Sequence, residues 1–159
     1  MTEAVIFLLL GIAAYFDWKC RKIPNTVTFP ALAAGLVYQW QAGMGWTAVA
    51  GVAGAFLLTV VPVVLRGMGM GDQKLLMAVG AWVGWSGVYP LFLHSLWVCL
   101  AVVVFLPGTW RRLGRNMHAI FAGWVAHRKI WLPRNKEAAL SFPYAVPLLG
   151  AYLVQHLWR

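Results

Sequence analysis

Charged residues divide this chain into long apolar segments. Residues 23–65 and 75–110 contain no charged side chain, and each stretch is long enough for two bilayer crossings at roughly 20 residues apiece. Residues 138–158 are long enough for one more crossing. Together with the apolar segment that precedes residue 17, this pattern predicts an all-α, polytopic membrane protein with a bundle of six transmembrane helices.

Glycine, proline and asparagine mark the expected helix boundaries. The first helix must extend past Asp17 to cross a hydrocarbon core of about 30 Å. Asn25 is the predicted N-cap of the second helix, and Ser86, Gly87 and Pro90 predict an external turn between the fourth and fifth helices. The second to sixth helices are expected at residues 26–40, 46–65, 73–84, 89–106 and 138–157.

A shorter apolar segment at residues 116–127 cannot span a bilayer. Its apolar side chains recur at helical spacing and arginines flank it on both sides, which favours a helix lying on the cytoplasmic face of the membrane. A disordered basic loop is the alternative. Neither an internal repeat nor a linker is apparent, so residues 1–159 are treated as one membrane-embedded domain.

The composition argues against a soluble protein. Apolar and aromatic residues make up 62% of the chain and charged residues only 11%, too few to cover a water-exposed surface. In a soluble protein the net charge of +9 would suggest nucleic acid binding. Here alternating topology assigns every lysine and arginine except Arg159 to one side, which the positive-inside rule identifies as the cytoplasm. The charge is therefore read as a topology signal, and no nucleic acid partner is expected.

The two aspartates, Asp17 and Asp72, are the only ones in the chain, and both are predicted at the cytoplasmic boundary. A carboxylate in or near hydrocarbon costs at least ~2.5 kcal/mol, which makes each a functional candidate. Two carboxyls about 3 Å apart share a proton, so one can activate a water while the other protonates a carbonyl oxygen. The alternative is structural ion pairing, of Asp17 with Arg21 and of Asp72 with Lys74 or Arg66.

Glycines beside the second aspartate favour the hydrolytic interpretation. Gly69 and Gly71 supply backbone without side chains, which an extended substrate could approach closely. Non-helical backbone at membrane depth persists only when protein buries it or when it lines a watery cavity. The sequence around Asp72 therefore predicts a cavity that holds an acid and a water.

These motifs resemble those of the type IV prepilin peptidases. The first is Asp17 followed by Arg21 and the turn Ile23-Pro24-Asn25. The second is Gly69-Met70-Gly71-Asp72-Gln73-Lys74-Leu75 with Gly80 and Gly84, and the last helix adds Phe142-Pro143-Tyr144 and Pro147. The resemblance covers most of the chain. Gly-x-Gly-Asp alone also occurs in presenilin-like and signal peptide peptidases, whereas its combination with Asp17 and the Ile-Pro-Asn turn is specific.

The resemblance implies a bacterial inner-membrane aspartic endopeptidase that removes the leader of a prepilin or pseudopilin at the cytoplasmic face. Asp17 and Asp72 match the catalytic positions, and Gly69, Gly71, Lys74 and the Pro24-Asn25 turn are expected to shape the site. No metal or other cofactor is expected, and the implied partners are the prepilin and membrane lipids. The chain is similar to short, peptidase-only members of Flp or Tad pilus systems, so methyltransferase activity is not expected.

Two other functions stay open from the sequence. A small proton-coupled transporter could use both aspartates as a proton relay, because ionisable residues in membrane segments also mark proton pathways. A Gly-x-Gly-Asp intramembrane protease with a different substrate would use the same acids. Loss of prepilin cleavage on replacement of either aspartate would favour the peptidase over both.

Overall fold

The computed structural model describes residues 2–65, 68–105 and 144–157, and all regular secondary structure in these ranges is helical. This agrees with the predicted all-α class. The helices are α1 (Thr2–Cys20), α2 (Asn25–Gln41), α3 (Gly45–Val64), α4 (Met70–Phe105) and α5 (Ala145–Leu157).

The chain divides into two units by the clustering of its Cα atoms. The first comprises Met1–Val98 and Pro143–Arg159, and the second comprises Cys99–Phe142. The predicted interfacial helix at residues 116–127 falls outside the described residues.

Two details of the predicted boundaries are wrong. Asn25 is the first residue of α2, not its cap, because Pro24 takes the cap position in an extended conformation (φ −69°, ψ 136°). The segment from Ser86 to Pro90 is helical and forms no open turn. Instead, α4 is interrupted at the single residue Gly84.

The break at Gly84 depends on glycine. Its backbone angles are φ 70° and ψ −175°, a region that L residues with a Cβ essentially never occupy. A Cβ at this position would also lie 3.3 Å from the Thr47 carbonyl oxygen on α3. One glycine therefore redirects the chain where the sequence suggested a longer turn.

Contacts along α4 define the direction of its two halves. The first turn of the first half contains Asp72, which interacts electrostatically with Asp17 near the end of α1. Just before and after the break, Val83 and Ser86 line a cleft of about 260 Å³ together with Glu3 at the start of α1. The second half returns, since Ser95 contacts the Tyr144 hydroxyl next to the start of α5. We call the end containing Asp17 and Asp72 the aspartate end, and the end containing Glu3 the far end.

The helix α5 runs from the aspartate end to the far end. Ala145 at its start is bonded to Asp17, whereas Tyr152 and His156 near its end contact Glu3. Fully buried leucines from three helices, Leu10, Leu75 and Leu148, lie in the core that these helices share. The aspartates are thus held by helices that pack on one another.

The helices α2 and α3 pack on the first half of α4 through small residues and one tryptophan. The Trp82 indole N–H donates to the Ala31 carbonyl at 2.9 Å, and the Gln39 side-chain amide donates to the Trp82 carbonyl at 2.7 Å. A Cβ added to Gly51 of α3 would lie 2.1 Å from the Gly80 carbonyl oxygen, so the two backbones touch. Gly80, quoted above as part of a motif, therefore permits close helix packing.

Two of the described helical stretches, Gly45–Val64 and Met70–Val102, are long and apolar enough to cross a membrane. Large apolar side chains are exposed on the outer faces of the helices, among them Trp46, Leu57 and Trp97. Water does not stabilise such a surface, whereas lipid does.

Candidate active site

Asp17 continues the buried face of α1. Ile6, Leu10, Ala13 and Asp17 follow one another at intervals of four, three and four residues, and all four side chains are buried. Helical periodicity places such positions on one face. Asp17 is 7% exposed and is the one buried charged side chain among the described residues. The apolar stripe that anchors α1 therefore also turns this carboxyl group inward.

The main chain of α5 holds the Asp17 carboxyl group. The Ala145 amide donates to Asp17 Oδ2 at 3.1 Å, across a sequence separation of 128 residues. Ala145 is the first residue of α5, so its N–H has no partner within the helix and is available to an acceptor. A helix N-terminus suits a carboxylate for the same reason.

Asp72 lies in the first turn of α4, three residues after Gly69. Its backbone N–H donates to the Gly69 carbonyl at 3.2 Å, and the Gln73 N–H reaches the same oxygen at 3.3 Å. A Cβ at Gly69 would lie 3.0 Å from Asp72 Oδ2, whereas a Cβ at Gly71 would meet its nearest atom, Ile23 Cβ, at 3.5 Å. The absence of a side chain at position 69 therefore leaves space beside the Asp72 carboxyl group, whereas the absence of one at position 71 leaves space beside Ile23.

The two aspartates come together, and the ion pairs considered from the sequence do not form among the described residues. The charge of Asp17 acts on the carboxyl group of Asp72. Within the described ranges, the one ion pair joins His156 to Glu3 at the far end. Arg66, the other possible partner of Asp72, lies outside these ranges.

Local geometry explains why the pairs are absent. Helix α1 ends at Cys20, and Arg21 has φ 50°, so Arg21 leaves the helix before its side chain can lie over Asp17. Asp72 and Lys74 are two positions apart on a helix, a spacing at which side chains do not face each other. Among the described residues, neither carboxyl group is therefore paired with a lysine or an arginine.

Asn25 and Lys74 join the start of α2 to the start of α4. The Lys74 ammonium donates to Asn25 Oδ1 at 3.1 Å and lies 5.3 Å from the centroid of the Phe29 ring. Asn25 and Lys74, both predicted to shape the site, thus contact each other. Pro24 directs the preceding turn, and Ile23 packs beside Gly71.

Comparison with known proteins places the chain in a family. Residues 4–106 match the model of the type IV leader peptidase family, which is more than half of the chain. That segment contains both aspartates and the Gly-x-Gly-Asp motif. The chain belongs to the type IV leader peptidase family. The resemblance stated from the motifs is therefore confirmed.

Curated relatives of this leader peptidase family member carry the name prepilin leader peptidase/N-methyltransferase. The protein of Neisseria gonorrhoeae is 30% identical over 136 residues, covering 76% of this chain and 47% of the relative. That of Escherichia coli K12 is 27% identical over 143 residues, covering 76% and 63%, and that of Klebsiella pneumoniae is 33% identical over 93 residues, covering 53% and 41%. The chain thus spans about half the length of these relatives. No solved structure matches it.

In this leader peptidase family member, the roles of three groups around the Asp17 contact escaped the sequence reasoning, although Tyr144 itself was quoted as part of a motif. They are the Ala145 amide, the Tyr144 hydroxyl and the buried Ser95 hydroxyl on α4. A main-chain donor leaves no mark in a sequence. Ser95 did leave one, since a serine hydroxyl inside a long apolar segment needs a hydrogen-bond partner once it is buried.

Proposed function

We propose that this protein is a membrane aspartic endopeptidase that removes the leader peptide of a type IV prepilin or pseudopilin. Family membership supports the reaction class, and the relatives named as prepilin leader peptidases support the substrate class. The observation that carries the proposal is that Asp17 and Asp72 lie at one end of the bundle, close enough for the charge of one to act on the other, with no lysine or arginine paired to either among the described residues.

The chemistry requires one ionised and one protonated carboxyl group. The carboxylate takes a proton from water as the water oxygen attacks the scissile carbonyl carbon, and the carboxylic acid gives its proton to the carbonyl oxygen. The resulting diol collapses when the C–N bond breaks, and a proton passes to the leaving amine. Carboxyl groups bound to arginine or lysine could not share a proton in this way, so the lack of such a pair among the described residues is compatible with the reaction.

We further propose that the chain crosses the bacterial inner membrane six times with the aspartate end in the cytoplasm. The directions of α1, the two halves of α4 and α5 alternate between the two ends, which is compatible with this topology. Charge supports the orientation, because all lysines and arginines of the described residues are near the aspartate end. They are Lys19, Arg21, Lys22 and Lys74. The positive-inside rule then assigns that end to the cytoplasm.

Processing of a co-expressed prepilin tests the proposal. Asp17→Asn and Asp72→Asn each keep the side-chain shape and remove the acid, so each should lower the cleavage rate by at least about a hundredfold. Cleavage is followed by the mass of the pilin, and the amount of folded enzyme is measured in parallel. Glu3→Gln is the matched control: it makes the same change on α1 at the far end and should leave cleavage unchanged.

The outcome distinguishes the competing functions. Full processing by either Asp→Asn variant would contradict the two-aspartate peptidase. If processing persisted while proton flux into vesicles depended on both aspartates, the transporter would be favoured instead. If the enzyme left prepilins intact but cleaved another membrane peptide, and this cleavage needed both aspartates, the proposed mechanism would stand and the proposed substrate would be wrong.

A further inference from the structure

A chain of hydrogen bonds joins the returning half of α4 to the start of α5. The Ser95 side chain is fully buried, and its hydroxyl donates to the Phe92 carbonyl at 2.7 Å. The same oxygen is hydrogen-bonded to the Tyr144 hydroxyl. Because the Phe92 carbonyl can only accept and Ser95 has a single hydroxyl proton, Tyr144 is the donor to Ser95.

Tyr144 stands one residue before the amide that holds Asp17. Ala145 donates its N–H to Asp17 Oδ2 at 3.1 Å, and the Tyr144 carbonyl accepts the N–H of Leu148 at 3.1 Å to form the first turn of α5. Tyr144 is therefore fixed through its main chain to α5 and through its hydroxyl to α4. The N–H that donates to Asp17 belongs to the next residue, Ala145, so these two contacts of Tyr144 also fix its position.

We propose that Ser95 and Tyr144 are positioning residues for Asp17. Their hydrogen bond fixes the first turn of α5 against α4, and this fixes the Ala145 amide that orients the Asp17 carboxyl group beside Asp72. The inference rests on the proposed peptidase function and adds two residues to its machinery. Neither hydroxyl exchanges a proton with the substrate.

These contacts are suited to orienting the Asp17 carboxyl group because they are buried. Ser95 and Ala145 are fully buried and Asp17 nearly so, so a shift of the α5 start is not absorbed by solvent. A misplacement of about 1 Å can cost a reaction as much as a hundredfold in rate. We call the hydrogen bond between Ser95 and Tyr144 the clamp. Loss of the clamp should therefore lower kcat, while the substrate is still bound and KM changes little.

Three variants test the clamp by steady-state cleavage of a prepilin, expressed per folded enzyme. Tyr144→Phe removes one oxygen, Ser95→Ala removes its acceptor, and the third variant combines both. Each single change should lower kcat about tenfold with KM within about twofold. Because both changes break one interaction, the double variant should lose no more than either single variant. Tyr152→Phe is the control: it removes a tyrosine hydroxyl from the same helix, where that hydroxyl donates to the Glu3 carbonyl at the far end.

A thermal unfolding cycle provides a readout that does not need activity. Tyr144→Phe, Asp17→Ala and their combination should shift the unfolding temperature non-additively if Tyr144 acts on Asp17 through Ala145. Additive shifts, or a Tyr144→Phe enzyme with wild-type kcat, would overturn the clamp and leave the proposed function standing. Conversely, full cleavage by Asp17→Asn would overturn the function, and the unfolding cycle would still decide whether the two residues are coupled.

Discussion

At the scale of single residues, Gly69 and Gly71 have different surroundings, although both belong to the same Gly-x-Gly-Asp motif. A Cβ at Gly69 would meet Asp72 Oδ2 at 3.0 Å, so the carboxyl group would have to move by a few tenths of an ångström. A Cβ at Gly71 would make only an ordinary contact with Ile23 at 3.5 Å. The steric requirement for glycine is therefore strong beside the carboxyl group at position 69 and weak at position 71.

The first prediction compares alanine at these two positions. Gly69→Ala should lower kcat about tenfold because it displaces Asp72 from its orientation. Gly71→Ala should keep kcat within about twofold, and it should stabilise α4 slightly because alanine favours a helix over glycine. Cleavage rates per folded enzyme in detergent provide the comparison. Equal rates for the two variants would argue against a role for the space beside Gly69.

Thr28 shows a second feature that no motif indicates. Its side chain is 2% exposed, and its hydroxyl has no hydrogen-bond partner within the described part of the chain. Thr59 is buried as well, but its hydroxyl donates to the Ala55 carbonyl at 2.7 Å. An unpaired buried hydroxyl costs stability, whereas a paired one does not.

The second prediction follows from this contrast. Thr28→Val replaces the unpaired hydroxyl with a methyl group of similar volume and should raise the free energy of unfolding by about 1 kcal/mol. Thr59→Val loses a hydrogen bond and should not stabilise the protein. Unfolding in mixed micelles measures both. A loss of stability in Thr28→Val would mean that its hydroxyl is satisfied in the membrane.

At the scale of helices, one residue decides how α4 is divided. Glycine at position 84 adopts φ 70° and ψ −175°, and helix resumes at the next residue. Sequence reasoning ended the fourth helix at about Gly84 but added an external turn at Ser86, Gly87 and Pro90, because these residue types are frequent in turns. Pro90 lies inside the second half of α4, six residues after the break, so its presence did not locate the break.

The third prediction concerns this break. Gly84→Ala should destabilise the protein by about 1–3 kcal/mol, because alanine is strained in this backbone region. The kcat per folded enzyme should be unchanged, since Gly84 is at the far end. Gly11→Ala is the control, because a Cβ there would meet no atom within 4 Å and the residue is helical in α1. A similar loss of stability in both variants would contradict the assignment of strain to Gly84.

Local sequence patterns predicted the helices but not the contacts between them. Apolar periodicity correctly predicted α1, α2 and α3 to within a few residues, since each helix carries its own hydrophobic stretch and its own breakers. The role of Asn25 was missed, because its partner Lys74 is 49 positions away and comes into reach only when α2 packs beside α4. Capping is a local rule, and here a tertiary contact overrides it.

At the scale of the whole molecule, the two ends of the bundle differ in chemistry. The aspartate end contains both aspartates and all the lysines and arginines of the described ranges. The far end contains the ion pair of Glu3 with His156, whose atoms are 3.2 Å apart. A protein oriented by the positive-inside rule would show this asymmetry.

The fourth prediction tests the orientation by labelling single cysteines. In a background with Cys20 and Cys99 replaced, Ala42→Cys and Ser86→Cys should react with an impermeant maleimide in cells whose outer membrane alone is permeable. Lys22→Cys should react only after the inner membrane is opened. All three positions are on the surface of the protein and not in its core, so burial within the protein is not the variable. Labelling of Lys22→Cys in intact spheroplasts would reverse the proposed topology.

The sequence by itself determined the helical class, the two aspartates as candidates for chemistry and the family, because hydrophobic periodicity, rare acids and short motifs are local properties. Tertiary structure decided which groups meet. The amide that orients Asp17 comes from Ala145, 128 positions away, and the ion pairs with Arg21 and Lys74 fail because of helix geometry. Partners so distant in sequence are chosen by packing, which depends on every helix at once. The two aspartates could be found in the sequence, but the contacts that orient them could not.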